Sequence, residues 1–421
     1  MVQGGALVSH KTFPERRMIG RIYRIDRAGG DRVKRISVEF DAIDELSIDK
    51  NIKNLFCSTN TNPFGLIRVV TSVSRFFDFF GFEPFEGAWF SLILSPEDDS
   101  AKGTIASMPA WHAQLSQGGY AIQTRGYIKG ADFISFDGER GPATLSSAAS
   151  TKINDHIQWQ FSDFGPIDNG GVEALLAELS AVDEIVVHDV GQANFVTMYD
   201  VSGVKPIIHY DAGWPVAFNN RTVPPSDPVC QFAPVILSHW DWDHLHGYYR
   251  FPDLQAARWI VPVQKLGPGA SRVAERLKRA GLLMPFDGAE IILDNLILGV
   301  CRGHVGNMNQ TGLALRIDLG SPSGALPRGV LLAGDADYEN LPDILRREPL
   351  YALLITHHGA EFNGEAPLGL PRAENAIVSV GRGNCYKHPS QAALKKHQIK
   401  KWNITMTCAV NGRPRGSRQI R

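Results

Sequence analysis

Past about Gly171 the chain settles into a repeating pattern: short apolar runs that end on polar residues, alternating with stretches whose apolar positions recur at helical spacing. EIVVHDV, NFVTMYDV and KPIIHYDAG read as three consecutive strands, the last two joined by a tight turn at Ser202-Gly203. PVILSH is a buried strand entering a polar loop, and further strands are predicted at RWIVPV, GLALRIDLG, GVLLAGDA, YALLITHHG and NAIVSVG. GVEALLAEL predicts a helix; SRVAERLKRAGLL predicts another with Ser271 near its start and Gly281 closing it; SQAALKKH predicts a third with Ser390 as N-cap. The fold class this pattern predicts is mixed α/β, with antiparallel hairpins first and helices interspersed later.

Residues 1–175 are less regular. RVKRISVEFDA is strand-like, and seven of the 21 phenylalanines fall between Phe76 and Phe90. Such a run could stack bases, but core packing is the stronger expectation. Gly- and Ser-containing stretches at 136–152 and 163–171 read as loops or a boundary. Two units follow: residues 1–175, a mixed α/β N-terminal domain that could recruit a protein partner, and residues 176–421 with a basic C-terminal segment.

Composition narrows the class. At 421 residues, 43% hydrophobic and 21% charged, the chain is an ordinary globular protein. No window approaches the ~18 uninterrupted apolar residues of a membrane helix, and the first residues lack the apolar core of a signal peptide. The expectation is a cytoplasmic protein with no membrane partner. Cys57, Cys230, Cys301, Cys385 and Cys408 form no C-x-x-C pair, which argues against a disulfide framework or a zinc knuckle. The net charge of −1 hides an asymmetry: residues 375–421 hold ten Lys or Arg and no Asp or Glu, leaving −11 on the rest. That segment, with Lys395, Lys396, Lys400 and Lys401, is either a solvated face or a polyanion-binding surface.

The chemistry collects where strands end. The first strand runs into Asp189; PVILSHWDWDHLHG supplies His239, Asp241, Asp243 and His244, with His246 beyond them; GVLLAGDA supplies Asp335; YALLITHHG supplies His357 and His358; NAIVSVGRGNCYKHPS supplies Asn384 and His388. Two imidazoles and two carboxylates within six residues of a loop leaving a buried strand are costly without compensating charge, which a divalent ion provides. The constellation therefore predicts a metal site. Trp240 and Trp242 read as hydrophobic shielding of the acids.

These residues resemble the metallo-β-lactamase fold, specifically the soluble domain of ComEC-type competence proteins, over about 184–407. H-W-D-W-D-H is similar to the signature H-x-H-x-D-H with Asp241 in place of the second His, a change typical of that branch. HDVGQANF resembles D-V-G-Q-G-D-A, with Asn194 where the branch has Asp; IIHYDAG resembles I-D-x-G; LLAGDA, ITHHGA and SVGRGNCYKHP resemble L-x-G-D-A, H-H-G-S and S-V-G-x-x-N-x-Y-x-H-P. The resemblance implies an αββα sandwich with a metal site at one edge of its two sheets. It implies two divalent ions: His239 and Asp241 at one, Asp243 and His244 at the other, Asp335 bridging, and His357 or His358 completing the second. Asp189 would orient a ligand from behind, and His304 is the candidate for the third motif. With imidazole exchanged for carboxylate, Mn²⁺ and Mg²⁺ join Zn²⁺ as the expected ions.

The function expected is a phosphodiesterase or nuclease in which two metals activate water, with Asp243 and His388 as candidate catalytic residues and a nucleic acid or other phosphodiester as substrate. Hydrolysis of a small ester, thioester or lactam, or a degraded scaffold module, are the alternatives.

Overall fold

The computed structural model describes residues 15–28, 35–48, 52–96, 107–134, 161–179, 181–288, 290–304, 306–319, 328–347, 349–370, 375–410 and 412–421. The stretch 136–152, expected as a loop, lies outside the described residues. The chain divides into two compact units: residues 1–52, 60–116 and 120–157 form one, and 53–59, 117–119 and 158–421 the other. The division thus falls near 157 instead of 175, because the helix Asn169–Ala177 sends Val172, Leu175 and Leu176 into the core of the second unit. Strand exceeds helix throughout.

The first unit is a closed barrel, where a mixed α/β domain was expected. Its strands β1 (Arg16–Ala28), β2 (Arg35–Asp44), β3 (Phe64–Ser72), β4 (Trp89–Pro96), β5 (Met108–Gln114) and β6 (Gln123–Ile134) run β1-β2-β3-β5-β6-β4 around the barrel, every pair antiparallel. Closure comes from β1 pairing with both β2 and β4, a long-range choice that local patterning cannot reveal. Ile36, Val38, Phe40 and Ala42 alternate into the barrel core with Phe76, Phe80 and Phe90. The phenylalanine run is therefore largely core: Phe76 and Phe80 stack at 4.0 Å on the helix Val73–Phe80, which Ser72 caps at one end and left-handed Gly81 stops at the other.

The second unit carries two seven-stranded sheets. One contains β7 (Glu184–Val187), β8 (Phe195–Tyr199), β9 (Pro206–Ala212), β10 (Val235–Ile236), β11 (Trp259–Pro262), β12 (Leu283–Phe286) and β20 (Arg418–Ile420), in the order β12-β11-β10-β9-β8-β7-β20. The other runs β13 (Ile291–Ile292), β14 (Leu296–Val300), β15 (Leu313–Leu319), β16 (Arg328–Leu332), β17 (Ala352–Leu354), β18 (Asn375–Val378) and β19 (Ile404–Met406), in sequence order. Each joins an antiparallel meander to a parallel run: β9 to β12 in the first, β16 to β19 in the second.

The period of two explains the cores. In β16, Val330 and Leu332 enter a cluster shared with Val196, Ile208, Ile236 and Ile260 of the other sheet, while Leu331 enters a separate cluster on the opposite face. β17 and β18 repeat this, with Leu354 and Ile377 on one side and Leu353 and Val378 on the other. A sheet covered on both faces needs apolar residues at every position, which is why these strands read as continuous hydrophobic runs. The second cluster receives Ala393 and Leu394 from the helix Gln391–Ile399, capped by Ser390 as its sequence predicts. The helix Pro268–Arg279 begins three residues before Ser271, with Pro268 at its first position and Gly267 as N-cap. No described helix is long and apolar enough to cross a membrane.

Candidate metal centre

The polar residues that follow parallel strands β9, β10, β16, β17 and β18 converge, as expected where open α/β sheets end. After β10, Ser238 and His239 precede a one-turn helix, Trp242–Leu245, that turns Asp243 and His244 inward. The backbone is crowded here: a Cβ on Gly213 would overlap the Asp243 carbonyl, so only glycine fits.

Two overlapping groups of side chains bring their ligand atoms within 4.8 Å of one another: His239, His244 and Asp335, and Asp243, His244 and His358. His244 Nε2 lies 3.0 Å from Asp335 Oδ1, and His239 Nε2 lies 3.9 Å from Asp335 Oδ2. His358 Nε2 is 3.2 Å from Asp243 Oδ2 and His244 Nε2 is 3.8 Å from Asp243 Oδ1. His357 Nε2 approaches Asp335 Oδ2 at 3.4 Å but keeps 16% of its side chain exposed, whereas the others are buried.

Hydrogen bonds behind the rings fix which nitrogen faces inward. His358 Nδ1–H donates to the Ser379 carbonyl (2.7 Å), so Nε2 presents a lone pair to the cluster. His244 Nδ1–H donates to Asp211 Oδ2 (2.7 Å), with the same consequence. His239 Nδ1 lies 3.0 Å from the Ser238 hydroxyl, which donates to Asp211 Oδ2. The inward atoms are left over: His239 Nε2, His244 Nε2, His358 Nε2 and both Asp335 oxygens are buried with no hydrogen-bond partner among the described residues. A buried polar atom without a partner costs about 1–3 kcal/mol. Five in one place fit a cation far better than a core, and the nitrogen and oxygen donors suit Zn²⁺ or Mn²⁺, with Mg²⁺ favoured least by the imidazoles.

Electrostatics agree. Burial, then the charge of His244, drives His239 well below the ordinary imidazole range, keeping it neutral as a ligand must be. Burial opposes protonation of His244 most strongly, yet Asp335 and Asp211 outweigh it and hold its ring well above that range. Burial likewise pushes Asp335 upward, but His357 and His244 prevail and keep its carboxyl well below the usual carboxylate range.

Asp211, ending β9, was not singled out from the sequence, although it too is an acid at a strand end. It is fully buried at φ +58°, and its carboxylate accepts from Ser238 N–H (2.7 Å), Ser238 Oγ, His244 Nδ1 and Asn194 Nδ2 (2.7 Å). The role expected of Asp189 therefore falls to Asp211. Asp189 is held instead by Arg415, whose guanidinium donates to both carboxylate oxygens and to the Val223 carbonyl. Asn194 stands where the resemblance has Asp, and its amide donor suits a position against a carboxylate.

Asp241 belongs to neither converging group. Its carboxylate caps the helix Trp242–Leu245, accepting the Trp242 N–H at 2.6 Å. Trp240 and Trp242 are buried, as shielding requires. His304 is exposed, its Nδ1 accepting from Gly306 N–H, and lies in neither group. His246 is buried with Nδ1 at 3.1 Å from the Trp214 carbonyl, and burial pushes it down to about 4.

His357 and His358 occupy consecutive left-handed positions (φ +49° and +51°), each costing about 1–3 kcal/mol for a non-glycine residue. Beside them stands His388, its ring 5.5 Å from that of His357. Asn384 frames the loop, accepting from Tyr386 N–H and His388 N–H and donating to the Gly381 and His388 carbonyls. The basic segment is partly engaged: Lys396 donates to the Phe362 and Gly364 carbonyls and sits 4.5 Å over the Phe362 ring, and Lys400 pairs with Glu365. Arg415 and Arg421 likewise meet Asp189 and Glu184.

No known protein-family model matches the chain, and no curated protein matches it.

Proposed function

We propose that the second unit is a metal-dependent hydrolase of αββα metallo-β-lactamase type, acting in the cytoplasm as a phosphodiesterase or nuclease on a nucleic acid or related phosphodiester. The observation that carries this reading is the set of five unpartnered inward atoms on His239, His244, His358 and Asp335, gathered from three strand ends. The shared core of the two sheets and the five free cysteines support the fold and the compartment. His239, Asp243, His244, Asp335 and His358 would hold two divalent ions, which supply activation of water and stabilisation of charge growing on phosphorus. The protein's own groups do the rest. Asp211 and the Ser379 carbonyl keep His244 and His358 in the tautomer that faces inward. His357 and His388 stand side by side, where an imidazole can pass a proton to a departing oxygen.

The test is metal analysis of the full chain followed by incubation with Mn²⁺, Zn²⁺ or Mg²⁺ and with single- and double-stranded DNA, RNA or a bis-aryl phosphodiester. Cleavage that needs the ion and is lost in Asp243→Ala is expected. Turnover of lactone or thioester substrates alone would move the reading to a small-ester hydrolase, which the internal pairing of Lys396 and Lys400 favours. Bound metal with no turnover would make the unit a scaffold.

A further inference from the structure

Residues 306–312, which lead into β15, are fastened to the residues that flank the candidate metal cluster. At one end, Leu313 N–H donates to the Ser238 carbonyl (2.6 Å), and Gly312 passes so close that a Cβ there would overlap that carbonyl and lie 3.1 Å from His239 Cβ. In the middle, Gln264 joins the loop to the residue after His239: its Nε2 donates to the Met308 carbonyl (2.8 Å), and its Oε1 accepts from Trp240 N–H (3.3 Å). Next, Gln310 Oε1 accepts from Asp337 N–H (2.8 Å), two residues beyond Asp335.

Asn309 sits between the second and third of these tethers, in the short 3-10 turn Met308–Gln310. Its side chain is 5% exposed, yet Oδ1 has no hydrogen-bond partner among the described residues. A carboxamide oxygen removed from water and left unpaired is destabilising, and such atoms in a folded protein point to a missing partner. The nearest tethered segments carry acceptors in the same condition, His239 Nε2 and both oxygens of Asp335. Acceptors cannot satisfy one another; a cation satisfies all of them together.

We infer that Asn309 supplies its Oδ1 as an oxygen ligand to the ion held by His239 and Asp335. This rests on the metal-centre reading above: when the shared His244 goes to Asp243 and His358, His239 and Asp335 remain as two donor residues, and Asn309 supplies the third. A neutral amide oxygen adds a hard donor without adding charge, so this half would take Mn²⁺ more readily than an all-imidazole site would.

The full chain, stripped of metal, is titrated calorimetrically with Mn²⁺, and bound ions are counted by elemental analysis. The unaltered chain is expected to bind two ions. Asn309→Ala is expected to keep one at unchanged affinity and bind the other at least tenfold more weakly, and Asn309→Asp to bind both. Should Asn309→Ala fold poorly, the Co²⁺ absorption spectrum of Asn309→Asp decides: ligand-field bands shifted from those of the unaltered chain support ligation, and identical bands overturn it. Two ions bound by a folded Asn309→Ala at the affinities of the unaltered chain would overturn the assignment alone. An unaltered chain that binds no ion overturns the metal centre itself.

Discussion

Asp211 Oδ2 lies 2.7 Å from His244 Nδ1, on the edge of the ring opposite the Nε2 that faces Asp335. One carboxylate thus sets the tautomer of a ring shared by both halves of the cluster, and it also holds Ser238 and Asn194 in place. Asp211→Ala should cost about 3–5 kcal/mol, since a buried, fully bonded charge is removed. Asp211→Asn should keep most of the stability but lower metal affinity about 10–100-fold. Thermal unfolding and ion titration separate the two effects, and equal ion affinity in Asp211→Asn would refute the orienting role.

A second chain of buried imidazoles lies outside the candidate metal cluster. His188 Nε2 is 2.7 Å from Thr197 Oγ1, which is 2.9 Å from His209 Nδ1, and His209 Nε2–H donates to the Gln231 carbonyl. Burial pushes His188 down to about 3 and His209 to about 4. Both rings are then neutral when folded and take up protons on unfolding below their ordinary value of 6.5. Stability should fall as pH drops from about 6.5 towards 4, by roughly 1.4 kcal/mol per pH unit for each proton. Urea unfolding across that range should show a shallower slope in His209→Gln and in His188→Gln; an unaltered slope in both would discount the burial effect.

His388 stands against His357 on a loop framed by Asn384. If it passes a proton to the leaving group, His388→Gln should lower kcat about 10²–10⁴-fold while bound metal stays constant. Asn384→Ala should lower kcat less, with the ring present but misplaced. An unchanged kcat in a metal-loaded His388→Gln would remove His388 from the reaction.

The four lysines of the basic segment should divide into two classes. Lys396→Glu and Lys400→Glu should lower the melting temperature, because Lys396 ties down the 362–364 loop and Lys400 pairs with Glu365. Lys395→Glu and Lys401→Glu should leave folding alone and reduce DNA affinity with a flatter salt dependence. Gel-shift titrations at several salt concentrations decide, and unchanged DNA affinity in that pair would leave the segment without a role in binding.

What the sequence disclosed follows the range of the interactions involved. Strands β8, β9, β15 and β16 and the Ser390 cap are local, written in alternation and in single residues, and the pattern locates them. Acids and imidazoles at strand ends were equally legible as a group. Their division of labour was not, because it depends on partners far along the chain. Asp189 is claimed by Arg415, 226 residues away, and Asp211 gains its position only when β9 and β10 lie side by side. Asp241 alternates with Asp243 in sequence, but a helix begins between them and turns its carboxylate to the Trp242 amide. Barrel closure was hidden for the same reason, since nothing in β1 announces β4 as its second neighbour.

His244 appears in both ligand groups, yet its Nε2 has a single lone pair to offer. Under the two-ion reading, one electron pair cannot serve two cations at once. Whichever ion took the shared nitrogen would leave its neighbour the carboxylates and one remaining imidazole. Loading would then proceed in turn, and scarce metal would give a half-loaded protein.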